Sequence, residues 1–193
     1  MIGRLSGILL SKQPPHLLLD VHGVGYEVEA PMSTFFRLPA AGEPLTLHTH
    51  LVVREDAHIL YGFATADERA LFRALLKVSG VGPRIALALL SGVTVAAFAR
   101  CVREKDLATL TRVPGIGRKI AERLIVEMRD RVDGTLELVA GHGAGTSGAQ
   151  GEAWSALVAL GYKPPEATRM LNGAGSGTTE ELIRRALQSV DRD

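Results

Sequence analysis

An internal repeat of 35 residues limits the possible folds of this 193-residue chain more than any other feature of its sequence. When the chain is shifted by 35 residues, positions 72–90 fall on positions 107–125, and seven of the 19 aligned residues are identical. The identical pairs are Leu75/Leu110, Val78/Val113, Gly80/Gly115, Gly82/Gly117, Ile85/Ile120, Ala86/Ala121 and Leu89/Leu124. Each copy predicts a helix, a Gly-hydrophobic-Gly tripeptide and a second helix with a cation two residues after the last glycine.

The two glycine turns have the features of a phosphate-binding site. Glycine tolerates positive φ and has no Cβ, so Gly80–Gly82 and Gly115–Gly117 allow a tight turn and the close approach of a bulky anion. The hydrophobic residue between the glycines is expected to pack inward. Amide groups at the start of the second helix then face outward at the positive end of its dipole, where Arg84 and Lys119 add charge.

Contacts of this kind place a nucleic acid without selecting its sequence, because no group in the turns reaches a base edge. A simpler interpretation is that the glycines only serve as caps where two antiparallel helices are joined. That interpretation would account for a single Gly-x-Gly turn. Two copies with matching cations and matching core positions favour binding to the phosphate backbone. The twin sites are expected to straddle adjacent phosphates of a duplex.

Positive charge is concentrated in the segment that contains the repeat. Residues 65–140 carry 13 Lys and Arg against nine Asp and Glu, although the whole chain has a formal net charge of only +1. A polyanionic partner is therefore expected. The single cysteine, Cys101, excludes an internal disulfide and suits a reducing compartment such as the cytoplasm. No apolar stretch reaches the roughly 20 residues of a membrane-spanning helix, so we expect no membrane association.

The residues before the repeat predict a small β-barrel, so the expected fold class is α+β with several domains. Alternating or apolar runs lie at 2–11, 17–21, 24–30, 45–53 and 59–63. Turn signals separate these short strands, and their closure into a barrel of the OB type would remove exposed strand edges. We expect an OB-like barrel over residues 1–64 and an all-α domain with the two hairpins over residues 65–133.

A glycine-rich stretch separates a third region from the rest. Residues 134–151 contain six glycines among small polar residues, which predicts a flexible linker. Three short helical patterns follow in residues 152–193, a length that is marginal for an independent core. We expect a compact three-helix module that binds a partner.

The sequence resembles the RuvA family, whose members bind Holliday junctions in the bacterial branch-migration machinery. The resemblance covers nearly the whole chain except the linker. The paired glycine turns are similar to the tandem helix-hairpin-helix motifs of that family. The matching segments are Met1-Ile-Gly-Arg-Leu, Gly23-Val-Gly-Tyr-Glu-Val, Val52-Val-Arg-Glu-Asp56, Leu60-Tyr-Gly-Phe63, Gly80-Val-Gly-Pro, Pro114-Gly-Ile-Gly-Arg-Lys119, Ala121-Glu-Arg-Leu-Ile-Val-Glu127 and Leu157-Val-Ala-Leu-Gly-Tyr-Lys-Pro164.

The resemblance implies a homotetramer that holds a four-way DNA junction in an open, square-planar form, with a second tetramer completing an octamer in some complexes. It also implies a RuvB-type hexameric ATPase as partner in recombination and repair. A junction-resolving nuclease is compatible with the resemblance as a further partner. The chain has no Gly-x-x-x-x-Gly-Lys-Ser/Thr motif, so the ATPase must be a separate protein. The implied DNA-phosphate contacts are Ser79, Gly80, Val81, Gly82, Arg84, Gly115, Ile116, Gly117, Arg118, Lys119 and Arg123.

Glu55 and Asp56 form an adjacent acidic pair on a predicted hairpin. Two acids in a turn are normally only solvated. In a fourfold assembly like that of the family, four such pairs would gather around the axis and repel phosphates there. We therefore interpret the pair as an acidic pin that favours junctions over linear duplex. For Arg54, a DNA contact and a salt bridge with the neighbouring acids remain equal alternatives.

In the C-terminal module the resemblance implies that the ATPase is contacted by Leu157, Leu160, Tyr162 and Leu187. The simpler alternative is that these residues only hold three helices together. Partner binding is favoured for Leu160 and Tyr162, and Trp154 is expected to anchor the core.

Two other classes of function stay open: a DNA-processing enzyme such as a glycosylase, nuclease or lyase, and a DNA-tethering adaptor without junction preference. An enzyme would need a nucleophile, a general base or metal-binding carboxylates, and no such cluster stands out in residues 65–133. We therefore expect no catalytic site and no cofactor. His48 and His50 share one face of a strand, but no further histidine has the spacing of a metal ligand, so no metal is expected.

Overall fold

The structure, a computed structural model, describes residues 1–140 and 148–190. The chain divides into two compact units, Met1–Val132 and Asp133–Asp193. The first unit contains both the strands and the glycine turns of the repeat, and the second contains the C-terminal helices.

The N-terminal part of the first unit is a closed barrel with the strand order β1-β2-β3-β5-β4. The strands are β1 (Arg4–Gln13), β2 (His16–Val21), β3 (Val24–Glu29), β4 (Pro44–Val53) and β5 (His58–Phe63), with a short helix α1 (Met32–Phe35) between β3 and β4. Neighbouring strands are antiparallel except β3 and β5, which meet in parallel. Alternate apolar residues such as Leu9, Leu19 and Leu47 fill the interior. The predicted OB-like barrel is confirmed.

Strand β5 is buried on both of its faces. Leu60 belongs to the core inside the barrel. Tyr61 and Phe63 lie on the outer face, where their ring centroids are 5.0 Å and 4.9 Å from that of Phe72. Phe72 belongs to the first helix of the repeat and is fully buried. The barrel and the helices therefore share a hydrophobic contact and form one unit.

Both copies of the repeat fold as helical hairpins, which confirms the predicted tandem arrangement. The helices of this part are α2 (Ala66–Leu75), α3 (Pro83–Gly92), α4 (Val95–Glu104), α5 (Leu107–Thr111) and α6 (Arg118–Ala140). The side chains of Thr65, Thr94 and Asp106 accept amide hydrogen bonds and cap the N-termini of α2, α4 and α5. Four of the five apolar pairs that are identical in the two copies are buried, as is Cys101 on α4, whereas Ile85 and Ile120 are only partly buried.

The second unit is a three-helix module, as predicted. Its helices are α7 (Ala149–Ala159), α8 (Pro164–Ala174) and α9 (Thr179–Val190). Trp154 differs from the prediction, because it is only half-buried at the edge of the core and donates a hydrogen bond from Nε1 to Thr168 Oγ1 at 3.1 Å. The centre of the core is formed by smaller side chains that include Ala153, Leu157 and Leu182.

The predicted linker over residues 134–151 differs from the structure at both ends. Helix α6 continues to Ala140 and helix α7 begins at Ala149, so helical backbone covers part of that range. The remaining stretch, residues 141–147, lies outside the described residues. Glycine content alone therefore placed the start of the linker too early, because Gly134 lies within a long helix.

No single helix within residues 1–140 and 148–190 is long and apolar enough to cross a membrane. Helices α3 and α4 meet such a test only as a pair, and their axes are bent by 98°.

Candidate nucleic-acid interface

The two glycine turns have the same backbone geometry. The φ angle is +84° at Gly80 and +86° at Gly115, in a region that residues with a side chain rarely adopt. The amide that follows each glycine donates to a carbonyl three residues back, at 3.0 Å in both copies, from Val81 to Val78 and from Ile116 to Val113. The repeat therefore encodes one turn twice.

The turns are open to solvent, although the hydrophobic residue at the centre of each is buried. Val81 and Ile116 pack inward as expected. The glycines on either side of them are exposed. A Cβ added at Gly82 or Gly117 would meet no atom within 4 Å. A nucleic acid strand can therefore reach both turns.

Amide groups without partners lie at the start of the helix that follows each turn. Gly82 is the N-cap residue of α3, and Gly117 directly precedes α6. Within residues 1–140, the amide groups at these two helix starts that donate no hydrogen bond are those of Gly82, Arg84, Ile85, Gly117, Arg118 and Lys119. Such groups, at the positive end of a helix dipole, bind anions. The copies differ at two positions, because Pro83 has no N–H where the second copy has Arg118, and the amide of Ile120 donates to Gly117 O at 3.0 Å whereas that of Ile85 is free.

Cationic side chains flank these amide groups. Arg84 and Lys119 are exposed and form no ion pair with another described residue. Arg118 donates a hydrogen bond from Nε to Glu122 Oε1 at 2.8 Å. This hydrogen bond and the charge of Glu122 raise the pKa of Arg118. Because the bond uses Nε, both terminal nitrogens of the guanidinium stay available for a phosphate.

Arg123 connects the two hairpins. It lies on α6, but its Nη1 atom donates to Ser79 O at 2.8 Å and lies 3.3 Å from Ser79 Oγ in the first turn. In the opposite direction, Ile85 of α3 lies 4.0 Å from the Cβ position of Gly115. The structure therefore brings the predicted residues Ser79 and Arg123 together and places the two glycine turns side by side.

The acidic pair lies on a different element, the hairpin between β4 and β5. Arg54, Glu55 and Asp56 are all exposed there, and the hairpin closes with a hydrogen bond from Arg54 N to Ala57 O at 2.8 Å. The side chain of Arg54 forms no ion pair with a described residue. Of the two alternatives for Arg54, the local salt bridge is thus not observed.

The four residues predicted to contact the ATPase divide into two groups. Leu157 has no exposed surface and lies in the core of the module, so its role as a direct contact is corrected to a structural one. Leu160 is 63% exposed, and it lines a surface groove together with Tyr162, Glu166 and Leu187. The structure therefore brings three of the four predicted residues to one surface.

His48 and His50 share the outer face of β4, as the alternation predicts. The ring of His50 packs edge-on against Phe72 at a centroid distance of 5.8 Å. Burial and the nearby charges of Arg73 and Arg69 lower the pKa of His50. Among residues 1–140 and 148–190 no group of three or more metal-ligating side chains is found.

Comparisons with known proteins match the same three regions. Residues 1–62 match the RuvA N-terminal domain, residues 72–130 the SAM-like helix-hairpin-helix tandem, and residues 148–190 the RuvA C-terminal domain. The chain is 55% identical over its full length to the full-length Holliday junction branch migration complex subunit RuvA of Alkalilimnicola ehrlichii. The RuvA of Thioalkalivibrio sulfidiphilus is 57% identical, with 98% of this chain and 99% of the relative covered.

The chain belongs to the RuvA family.

The matches to RuvA domains explain why the glycine turns and the barrel occur in one chain. The RuvA N-terminal match ends at residue 62, inside β5, and the helix-hairpin-helix match begins at residue 72, inside α2. The residues between these matches include Phe63, one of the rings that join the barrel to α2. The boundary between the first two RuvA regions therefore falls within a shared hydrophobic contact.

One contact between the two hairpins was not apparent from the repeat, namely the hydrogen bond from Arg123 to Ser79. Arg123 aligns with Ala88 in the first copy, so comparison of the copies gives no sign that this position matters. The break in the repeat is itself the available signal, since a long cation replaces a small residue on the exposed side of α6. In this RuvA-family chain the break marks a contact between the copies.

Proposed function

We propose that this chain is a non-catalytic subunit that binds Holliday junctions and supports branch migration of DNA. The observation that carries the proposal is the pair of glycine turns with the same backbone geometry, held side by side, each followed by amide groups that donate to no described residue and by an exposed cation. Its relatives are named subunits of the Holliday junction branch migration complex. The contacts available at the turns suit phosphates and not bases, so binding is independent of sequence.

The preference for junctions requires more than phosphate binding, and we assign it to Glu55 and Asp56. In a homotetramer, four copies of this exposed hairpin supply eight carboxylates. Charges of that sign at the centre oppose the passage of an intact duplex and favour the separated strands of a crossover. Arg54 forms no ion pair with any residue that the structure describes, which supports a DNA contact for this cation beside the acidic hairpin. A second tetramer can enclose the junction from the other side.

The three-helix module is the site that we assign to a RuvB-type hexameric ATPase. Its groove presents Leu160, Tyr162 and Leu187 at the surface. An exposed leucine beside an aromatic ring is typical of the apolar centre of a protein interface. The proposal places the complex in the bacterial cytoplasm, where a junction-resolving nuclease is a further partner once the strands are held open.

The experiment that tests the proposal compares a labelled four-way junction with a linear duplex of equal length at one fixed salt concentration. Fluorescence anisotropy gives both dissociation constants. The wild-type chain is expected to bind the junction more tightly, which separates it from a general DNA-tethering adaptor. Equal affinity for both DNAs would contradict the junction-binding function.

A charge-matched pair of variants tests the glycine turns in the same assay. Replacing both Arg84 and Lys119 by alanine removes two free cations beside the turns. The slope of log K against log salt is expected to become shallower by about 0.9 for each phosphate that the variant no longer neutralises. The control replaces Arg169 and Arg184, exposed cations of the second unit, and is expected to leave the slope unchanged.

A further inference from the structure

The two copies of the repeat differ at two positions that are in contact with each other in the second copy. Arg118 stands where the first copy has Pro83, and Glu122, four residues later, stands where it has the buried Leu87. Arg118 donates a hydrogen bond from Nε to Glu122 Oε1 at 2.8 Å. Both residues are exposed on the surface of α6. The second glycine turn is therefore followed by an ion pair that the sequence of the first copy cannot form.

A second pair further along α6 has the same arrangement. Arg123 Nε lies 4.0 Å from Glu127 Oε1, and Nη1 of the same guanidinium donates to Ser79 O at 2.8 Å. The glutamate thus lies at Nε, while a terminal nitrogen reaches the first glycine turn. Arg118 has the same relation to its own glutamate, but its terminal nitrogens donate to no described residue. Nη1 and Nη2 of Arg118 can therefore bind an acceptor from outside the chain.

The order of the two residues in each pair does not favour a role in helix stability. A glutamate that precedes a cation by four residues stabilises a helix more than the reverse order does. The pairs on α9, Glu180–Arg184 and Glu181–Arg185, have this favourable order. Both pairs on α6 have the arginine first, and Arg118 also lies in the first turn, at the positive end of the helix dipole. A ligand of Arg118 therefore explains the position of this cation better than the stability of α6 does.

Glu122 has two opposing effects on a phosphate group at the second turn. Binding immobilises the long side chain of an arginine, and a hydrogen bond that already holds the guanidinium at Nε reduces this loss of rotamer freedom. The terminal nitrogens can then contact two oxygens of one phosphate group. The carboxylate of Glu122 also repels the phosphate, but salt and water screen this repulsion at an exposed site. Only the first effect needs an acceptor oxygen at position 122, so an experiment can separate the two.

We propose that Glu122 is a positioning residue for DNA binding, which holds the guanidinium of Arg118 so that Nη1 and Nη2 bind one backbone phosphate at the second glycine turn. The proposal rests on the proposed function, because it requires DNA at this turn. It adds a residue that acts through Arg118 and does not touch the DNA itself. The first copy has Pro83 at the position of Arg118, so the second turn is expected to hold its phosphate more firmly than the first.

Two substitutions of Glu122 separate positioning from charge. Glu122→Gln and Glu122→Ala remove the same negative charge, but only glutamine keeps an oxygen that can accept from Arg118 Nε. Both new residues are good helix formers, so α6 is expected to be kept. Fluorescence anisotropy with the full chain and a labelled four-way junction, at one salt concentration, measures both affinities. Glu122→Gln is expected to bind about threefold more tightly than Glu122→Ala, a ratio within the range of exposed side-chain pairs. Equal affinities of the two variants would overturn the proposal.

The same comparison without Arg118 tests whether Glu122 acts through this arginine. In an Arg118→Ala background, the glutamine and alanine variants at position 122 are expected to bind the junction equally. A difference that persisted in this background would refute the positioning role. The matched control is Glu180 on α9, which pairs with Arg184 at the same spacing. Glu180→Gln and Glu180→Ala are expected to bind the junction equally, and a threefold difference between them would also contradict the proposal.

Titrations with linear duplex keep this proposal distinct from the proposed function. If the wild type binds junction and duplex equally while Glu122→Gln still binds both DNAs more tightly than Glu122→Ala, the positioning role stands and the junction function fails. If the wild type prefers the junction while the two variants bind it equally, the junction function stands and the positioning role fails.

Discussion

Replacing Gly82 by serine should remove DNA binding at the first turn while leaving the fold intact. Gly82 has φ −92° and ψ 176°, which any residue adopts, and a Cβ there meets no atom within 4 Å. Gly82 is also the N-cap residue of α3, a position where serine is at least as favourable as glycine. The free energy of unfolding is therefore expected to stay the same or to rise by a few tenths of a kcal/mol.

The loss of binding has two causes at the same place. The new side chain fills the space in front of the turn, and its hydroxyl accepts the amide of Arg84 or Ile85 that is otherwise free for a phosphate. A hydrogen bond to a charged group contributes about 1.5–3 kcal/mol. At about 1.4 kcal/mol per factor of ten, the expected loss is roughly 10- to 150-fold in junction affinity for each turn.

The same substitution two residues earlier provides the control. Gly80 has φ +84°, so Gly80→Ser strains the backbone by about 1–2 kcal/mol. The midpoint of thermal unfolding should then fall by roughly 3–10 °C for a unit of this size. Circular dichroism measures the midpoint, and fluorescence anisotropy with a labelled four-way junction measures the affinity.

The two variants should therefore differ in which property they change. Gly82→Ser should keep the wild-type midpoint of thermal unfolding but bind the junction more weakly. Gly80→Ser should lower the midpoint of thermal unfolding. If Gly82→Ser bound the junction as tightly as the wild type, the free amide groups would have no part in DNA binding, and the argument from the turns would be refuted.

Three further outcomes are expected. Glu55→Gln combined with Asp56→Asn should raise the affinity for linear duplex by at least about fivefold in a competition assay, because close like charges repel by about 1 kcal/mol even in water; an unchanged preference for junctions would contradict the acidic pin. Arg123→Ala should weaken junction binding about tenfold by releasing Ser79 of the first turn, with anisotropy as the measurement. Leu157→Ala should destabilise the second unit by about 2–5 kcal/mol in calorimetry, whereas Leu160→Ala should keep its stability and reduce capture of a RuvB-type ATPase.

The repeat made the two turns predictable because each identical position has a local physical reason. Gly80 and Gly115 are required by positive φ, and the inward packing of Val81 and Ile116 follows from their place between two exposed glycines. These features depend on a few neighbouring residues. A pattern in the sequence is therefore sufficient to predict them.

Contacts between distant residues could not be predicted in this way. Leu157 and Leu160 are three residues apart on neighbouring turns, and only the packing of three helices decides that Leu157 is buried and Leu160 is exposed. Ser33 and Glu68 line one surface groove of the first unit although they are 35 positions apart in the chain, and their spacing matches no known motif. Such arrangements depend on tertiary packing, which local periodicity does not encode.

The two buried faces of β5 decide where this protein can be cut. A fragment that stops at residue 64 would expose the rings of Tyr61 and Phe63 to water, on a strand that still completes the barrel. A fragment that starts at residue 65 would leave Phe72 without those rings. For expression or for grafting the hairpins onto another scaffold, the smallest suitable fragment is therefore residues 1–132, which keeps the barrel together with the glycine turns.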